Sequence, residues 1–173
     1  GGFYTSGEFD IGALIARHAN TQFLELGRSC VLPPYRNKRT MELLWHGISG
    51  YIRQNRTDVM FGCASLDGTD PKQLAMPLSF MHHYARAPEQ WRARALPERY
   101  VEMNRISKEA IDPKQALRIL PPLVKGYLRS GAYIGDGAVV DHEFGTTDVL
   151  IILPVVAIKQ RYIEHFAIVR SAA

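Results

Sequence analysis

The sequence predicts an α/β fold, and three features carry that expectation. An apolar strand-like run at 22–32, an amphipathic helix over 40–54 and a second apolar run at 59–65 follow one another as strand, helix, strand. A crossover of that length makes the two strands parallel neighbours. Later, Thr147 to Leu153 reads as a strong buried strand between candidate helices. No repeat and no low-complexity segment interrupts the pattern, so the 173 residues are expected to form a single α/β domain.

The elements follow in order. Phe9 to Ala19 is a short helix, with Asp10 as its N-cap and Asn20 as its stop. Gln22 to Leu32 is a strand ended by Pro33-Pro34. In the helix Thr40 to Gln54, Met41, Leu44, Trp45, Ile48, Tyr51 and Ile52 recur at helical spacing and predict one buried stripe. Gly47 and Gly50 weaken that helix, which predicts close packing against the sheet. Val59 to Ser65 is an almost uninterrupted apolar strand. Asp67-Gly68-Thr69-Asp70-Pro71 caps a helix running to about Tyr84, with Pro71 at its first position. Tyr100 to Asn104 reads as a strand, Asp112 to Ile119 and Pro122 to Ser130 as helices, the second stopped by Gly131. Ala132 to Val140 is a strand around the turn Gly135-Asp136-Gly137, and Val156 to Phe166 is a final helix.

Composition narrows the classes of function. The chain is 46% hydrophobic and 22% charged, as globular proteins are, and the longest apolar run, Val149 to Ile158, is broken by Pro154. No run approaches the ~20 residues of a membrane span. The net charge of +4 favours acidic partners. Nucleic acid is not expected, because basic and aromatic residues are not interleaved. Two cysteines, Cys30 and Cys63, each sit in an apolar run and are expected to be buried thiols in a reducing, cytoplasmic compartment. The chain starts at Gly1, with only about twenty residues before its most informative strand, and reads as a piece of something longer.

The chemistry concentrates in Leu24 to Thr40. Glu25 and Arg28, three apart, point to opposite faces of a regular strand. Gly27 between them predicts a bulge that turns both side chains to one face and frees a backbone N–H for an oxyanion. The other reading is an edge salt bridge without function. Arg36, Lys38 and Arg39 gather positive charge at a helix start, where it opposes the helix dipole. An anion held between them, on the free N–H groups of the helix end, accounts for that cost, and a solvated basic turn is the alternative. His82 and His83 are neighbours on a helix, so at most one faces a site; with His46 they show no metal-ligand spacing, and no metal is expected. A nucleophile elbow, a Walker loop, a paired-glycine dinucleotide loop and a CxxC pair are all absent from the sequence.

At these residues the chain resembles the ornithine-lipid-type N-acyltransferases of the GNAT superfamily, cousins of the acyl-homoserine-lactone synthases. The matching stretches are LELGRSCVLPPYRNKRTMELLWHGISGYI (24–52), FGCASLDGTDP (61–71), LAMPLSFMHHY (74–84) and PPLVKGYLRSGAYIGDGAVVDHEFGTTDVLIILP (121–154). The resemblance implies a GNAT-like mixed sheet flanked by helices, lacking its N-terminal strands. It also implies transfer of a 3-hydroxy fatty acyl group from acyl carrier protein to the α-amino group of ornithine or a similar amino acid, giving lyso-ornithine lipid. Glu25 and Arg28 match the E-x-x-R pair and stand as catalytic candidates. Cys30, Val31, Arg36, Asn37, Lys38, Arg39 and Thr40 stand as candidates for holding the acyl-phosphopantetheine donor, with no separate cofactor. The superfamily's pyrophosphate loop ends in Gly-x-Gly/Ala, and this chain has Arg39-Thr40-Met41 instead. One phosphate on a carrier's arm demands less of the loop than a coenzyme A diphosphate. Peripheral contact with an anionic membrane surface is a further expectation. A non-catalytic acyl- or carrier-binding remnant, or an enzyme like the homoserine-lactone synthases, are the alternatives.

Overall fold

The computed structural model describes residues 2–159 and 162. Among the described residues, five strands form one mixed sheet in the order β1-β2-β5-β4-β3: β1 Phe23–Glu25, β2 Val59–Asp67, β3 Tyr100–Val101, β4 Tyr133–Asp141 and β5 Thr146–Pro154. β1 and β2 are parallel, as the strand–helix–strand pattern requires, and the other pairings are antiparallel. The expected α/β class and mixed sheet hold, with β1 as an edge strand.

Residue parity along the strands divides the core between the two faces of the sheet. On one face Met60, Ala64 and Leu66 of β2 and Val149, Ile151 and Leu153 of β5 pack under helices α2 (Lys38–Asn55), α3 (Ala75–Ala85), α4 (Pro113–Ile119) and α5 (Pro122–Ser130). On the other, Val59 and Phe61 of β2, Leu150 and Ile152 of β5 and Val139 of β4 meet Ile11 and Leu14 of α1 (Ile11–Arg17). Local chemistry sets several ends as the sequence predicts. Asp10 caps α1 by accepting from the Ala13 amide, and Gly131 takes the left-handed conformation (φ 110°) that ends α5; Asp112, expected within its helix, is instead the cap of α4.

Other expectations are corrected. The strand expected over Gln22 to Leu32 stops at Glu25, and Arg28 lies in the left-handed region (φ 53°). α2 starts two residues earlier than expected, capped by Asn37 through the Thr40 amide. Its buried residues are Trp45, Ser49 and Ile52, whereas Leu44 (43%) and Tyr51 (50%) of the expected stripe are exposed. Nothing lies within 4 Å of where a Cβ would stand at Gly47 or Gly50, so close packing does not explain those glycines. Pro71 sits in a turn, and α3 begins only at Ala75. Gly135-Asp136-Gly137 is no turn between elements: it lies within β4, where the register with β5 shifts between Ile134 and Ala138. Val155–Ala157 forms a 3-10 turn, and most of the helix expected over Val156 to Phe166 lies outside the described residues.

Candidate active site

The site begins where two parallel strands part. β1 pairs with β2 through Phe23↔Val59, Leu24↔Met60 and Glu25↔Phe61, and the Leu26 amide makes one last bond to the Phe61 carbonyl at 2.8 Å. Beyond that point β2 runs on to Asp67 while β1 leaves it, so the backbone groups of β2 on that side lose their ladder partners. The parting needs a glycine. A Cβ at Gly62 would stand 2.0 Å from the Leu26 carbonyl oxygen, so any side chain there would push β1 off the sheet. A cleft of about 290 Å³ opens in the gap, between Leu26–Ser29 and Gly62–Ser65, with Leu123 and Tyr127 of α5 on its wall. Burial raises the Tyr127 phenol above its ordinary value.

A second cavity of about 340 Å³ lies on the opposite face of the sheet. It shares Leu26, Gly27, Arg28, Cys63 and Ser65 with the first, so the two cavities flank the same strand ends. Its remaining walls carry the polar side chains of Thr5, Glu25, Asp141, Thr146 and Asp148 beside the Tyr4 and exposed Phe144 rings. Glu8, Asp141 and Asp148 bring carboxylate oxygens within 4.8 Å of one another, a set that could hold a cation. Arg99 pairs with Glu8 at 3.5 Å. Burial, more than the neighbouring Asp148 and Asp141, raises the Glu8 carboxyl above the usual carboxylate range, against lowering by Cys63 and Arg99.

The structure brings Glu25 and Arg28 to the same cavity, by a strand end and a left-handed residue instead of a bulge. Both Glu25 oxygens are engaged: Oε2 accepts from the Tyr4 amide at 2.9 Å, and Oε1 accepts from the Thr5 amide at 2.7 Å and from the Thr5 hydroxyl. The Arg28 guanidinium lies over the Tyr4 ring, 5.6 Å from its centroid. The N-terminal segment is thereby clamped across the end of β1.

Cys30 and Val31 continue the loop past the cleft wall without lining either cavity. Cys30 is exposed, contrary to the expectation of a buried thiol, because its strand has already ended. Cys63 does sit in a strand, half-buried, and burial with the adjacent Glu8 charge pushes its thiol so far up that it stays protonated. The basic loop is committed in part: the Arg36 Nε donates to the Val31 carbonyl, Asn37 caps α2, and Lys38 lies 3.5 Å from Glu42. Lys38 is 89% exposed, and Arg39 and Thr40 complete the first turn of α2, whose first amides have no intrahelical acceptor. His83 bonds the Ile106 carbonyl, and His82 packs against His83 outside both cavities.

Reading the sequence alone missed Tyr127, Thr5, Asp141 and Asp148. A signal for the acidic pair exists: on one face of the sheet the alternating residues change from apolar to polar together. Val59 and Phe61 give way to Cys63 and Ser65, Ile152 and Leu150 to Asp148 and Thr146, and Val139 to Asp141.

Comparison with known proteins finds sequence relatives of this chain. Residues 1–46 match the acetyltransferase (GNAT) domain model. Over 165 residues the chain is 54% identical to an L-ornithine N(alpha)-acyltransferase of Agrobacterium fabrum, covering 95% of the chain and 56% of that protein. It is 56% identical over 165 residues to the protein of that name from Brucella abortus, covering 95% of the chain and 59% of the relative. For the one from Rhodobacter capsulatus the identity is 39% over 166 residues, with 96% and 62% covered. The chain therefore spans less than two thirds of the length of each of these relatives. No solved structure matches the chain. Nearly all of this chain is thus similar to part of the L-ornithine N(alpha)-acyltransferases, and its first 46 residues are similar to the acetyltransferase (GNAT) domain.

Proposed function

We propose that this chain carries the donor cleft and acceptor cavity of an N-acyltransferase that moves a 3-hydroxy fatty acyl group from acyl carrier protein to the α-amino group of ornithine. The observation that carries the reading is the parting of β1 and β2, whose strand ends line a cavity on one face of the sheet and a second on the other. A thioester threaded from the first face and an amine held on the second would meet there with the attacking and departing atoms on opposite sides.

Each wall suits its substrate. The donor cleft offers unpaired strand backbone to a pantetheine arm, and backbone N–H groups at the parting, in the loop from Gly27 toward Cys30 and Val31, suit the oxyanion. Arg36, Lys38, Arg39 and the open amides of α2 suit the carrier's single phosphate, with Asn37 and Thr40 shaping that turn. Ornithine brings two ammonium groups and one carboxylate. Asp141 and Asp148 suit an ammonium, and Arg28 suits the carboxylate.

The acceptor must lose a proton before it attacks. Glu25 lines the cavity, and its Oε2 accepts a single bond, from Tyr4, among the described residues; it serves as base directly or through one water. Tyr127, held protonated by burial, can supply the proton that the departing thiolate takes up, and the second proton shed by the amine nitrogen, relayed through water, restores it.

One observation favours the second reading, a carrier-binding domain without catalysis: three donors already hold Glu25, which suits a structural anchor. Acylation of ornithine by acyl carrier protein, measured for Glu25→Gln, separates the two. A loss of at least about tenfold supports the base, the low end of what general catalysis contributes being roughly a hundredfold. A smaller loss overturns it. Peripheral membrane contact belongs to the same proposal only as a location for a lipid product; among the described residues, no helix is long and apolar enough to cross a membrane.

A further inference from the structure

Two glycines in α2 serve no contact among the described residues. Gly47 and Gly50 each weaken the helix relative to Ala, and nothing lies within 4 Å of where their Cβ atoms would stand. They belong to one stripe. Arg39, Leu43, Gly47, Gly50 and Gln54 follow one another three or four residues apart, so they share one side of the helix. That side is turned away from the buried Trp45, Ser49 and Ile52. Leu43 on it is 62% exposed, and the exposed Leu44 and Tyr51 flank it.

The same stretch holds the charge of the chain. From residue 36 to residue 56 stand five basic residues, Arg36, Lys38, Arg39, Arg53 and Arg56, and one acid, Glu42. Their net of +4 equals that of the whole chain, so the rest is neutral on balance.

We propose that this outer side of α2 is the docking face for an acidic helix on the body of the carrier protein. The inference rests on the reading of the carrier as acyl donor. Packed helices lie with their axes about 8–10 Å apart, at a distance set by the side chains between them. Gly47 and Gly50 let a partner helix come close, and Leu43, Leu44 and Tyr51 give it apolar contacts around the glycines. Lys38 and Arg39 at one end of α2, with Arg53 and Arg56 at the other, meet acidic side chains and steer the encounter.

The position suits the donor cleft. On the inner side of α2 the Trp45 ring meets Tyr127 with 5.7 Å between centroids, and Tyr127 lines that cleft. A carrier seated on the outer side passes its arm around the start of α2, past the basic turn proposed for its phosphate. Other occupants fit less well. A second copy of this chain would set +4 against +4. A bilayer gains from every apolar side chain pressed into it and nothing from missing ones, so the glycines favour a protein helix.

Gly47→Leu and Gly47→Ala test this in the chain as it stands, titrated with a bacterial acyl carrier protein in its apo form, which lacks the arm, and in its holo form. Both variants should keep or raise Tm, because Leu and Ala favour a helix over Gly and the space at Gly47 is open. Gly47→Leu should weaken both carrier forms at least about fivefold, and Gly47→Ala less, in the order of the side chain forced into a packed contact. Leu43→Ser, which adds no bulk, should weaken them too. Unchanged affinity in Gly47→Leu and Leu43→Ser, with Lys38→Glu still weakening the carrier, would overturn the docking face and leave the carrier reading in place. A wild-type chain that binds neither carrier form would overturn both together. Stronger sedimentation of Gly47→Leu with phosphatidylglycerol vesicles, at unchanged carrier affinity, would assign the face to a bilayer and overturn the inference.

Discussion

Gly62→Ala tests the parting of the strands on which the site depends. The new Cβ would stand 2.0 Å from the Leu26 carbonyl oxygen, a backbone atom, and contacts below 3.0 Å do not persist. The oxygen must therefore retreat by at least about 1 Å, as core overpacking demands. Leu26 also donates the last β1–β2 bond, at 2.8 Å to the Phe61 carbonyl, and the same movement stretches that bond beyond hydrogen-bonding range. Losing one backbone bond costs about 0.5–1.5 kcal/mol. Forcing a methyl into packed backbone costs about 1–3 kcal/mol more, which brings the total to roughly 2–4 kcal/mol. At this chain length that is a fall in Tm of roughly 4–16 °C. Calorimetry gives the Tm, and amide exchange at Leu26 reports the bond directly. A variant with wild-type Tm and a protected Leu26 amide would refute the argument that β1 crosses β2 in backbone contact at Gly62.

The two thiols should separate cleanly in the native state: a thiol reagent should label exposed Cys30 fast and Cys63 slowly, and equal rates would refute the placement of Cys63. Glu8→Gln should raise Tm increasingly with pH. The raised folded value means that the folded chain holds this proton more tightly than the unfolded one, so stability is lost as pH climbs from the ordinary carboxylate range through the folded value. A Tm difference independent of pH would refute it. His82 behaves oppositely. Burial, then Arg86 and His83, lower its value, so stability is lost as pH falls below the ordinary histidine range, and His82→Asn should flatten that acid limb. A charge reversal at Lys38, which is 89% exposed, should weaken carrier-protein binding more at low salt than at high salt; a salt-independent effect would remove the basic turn from the docking surface.

The order and type of most elements were legible because they rest on local chemistry. Asp10 caps the helix it was expected to cap, Gly131 ends α5, and the crossover length makes β1 and β2 parallel. Where the reading failed, the cause lies in a distant partner. Leu26, Val31 and Leu32 look as strand-like as Leu24, but a strand lasts only as long as its neighbour stays alongside, and β2 is lost at Phe61. The exposed Leu44 and Tyr51 share the helical spacing of buried Trp45 and Ile52. Spacing alone does not say how wide a stripe the rest of the chain covers.

The acidic cavity was hidden for a related reason, and the same physics shows how to find it. Asp148 falls in the strand expected over Thr147 to Leu153, with Thr146 just before it, but the sequence alone does not say which face of the sheet they take. Asp141 accepts from the amides of Glu143 and Phe144, and Gly145 takes φ 70°, so residues 142–145 close a hairpin with Asp141 paired to Thr146. Once that turn is fixed, register follows two residues at a time: Val139 faces Asp148 across β4 and β5, and Ser65 faces Asp148 across β2 and β5. Asp148 is then inside the sheet, only 7% exposed, with apolar Leu150 and Ile152 continuing its face. A carboxylate at that depth is costly unless something positive or a shared proton meets it. The aspartate of a short hairpin turn thus sets the position of a buried acid in the middle of the sheet, and with it the charge that an amine entering from that face would encounter.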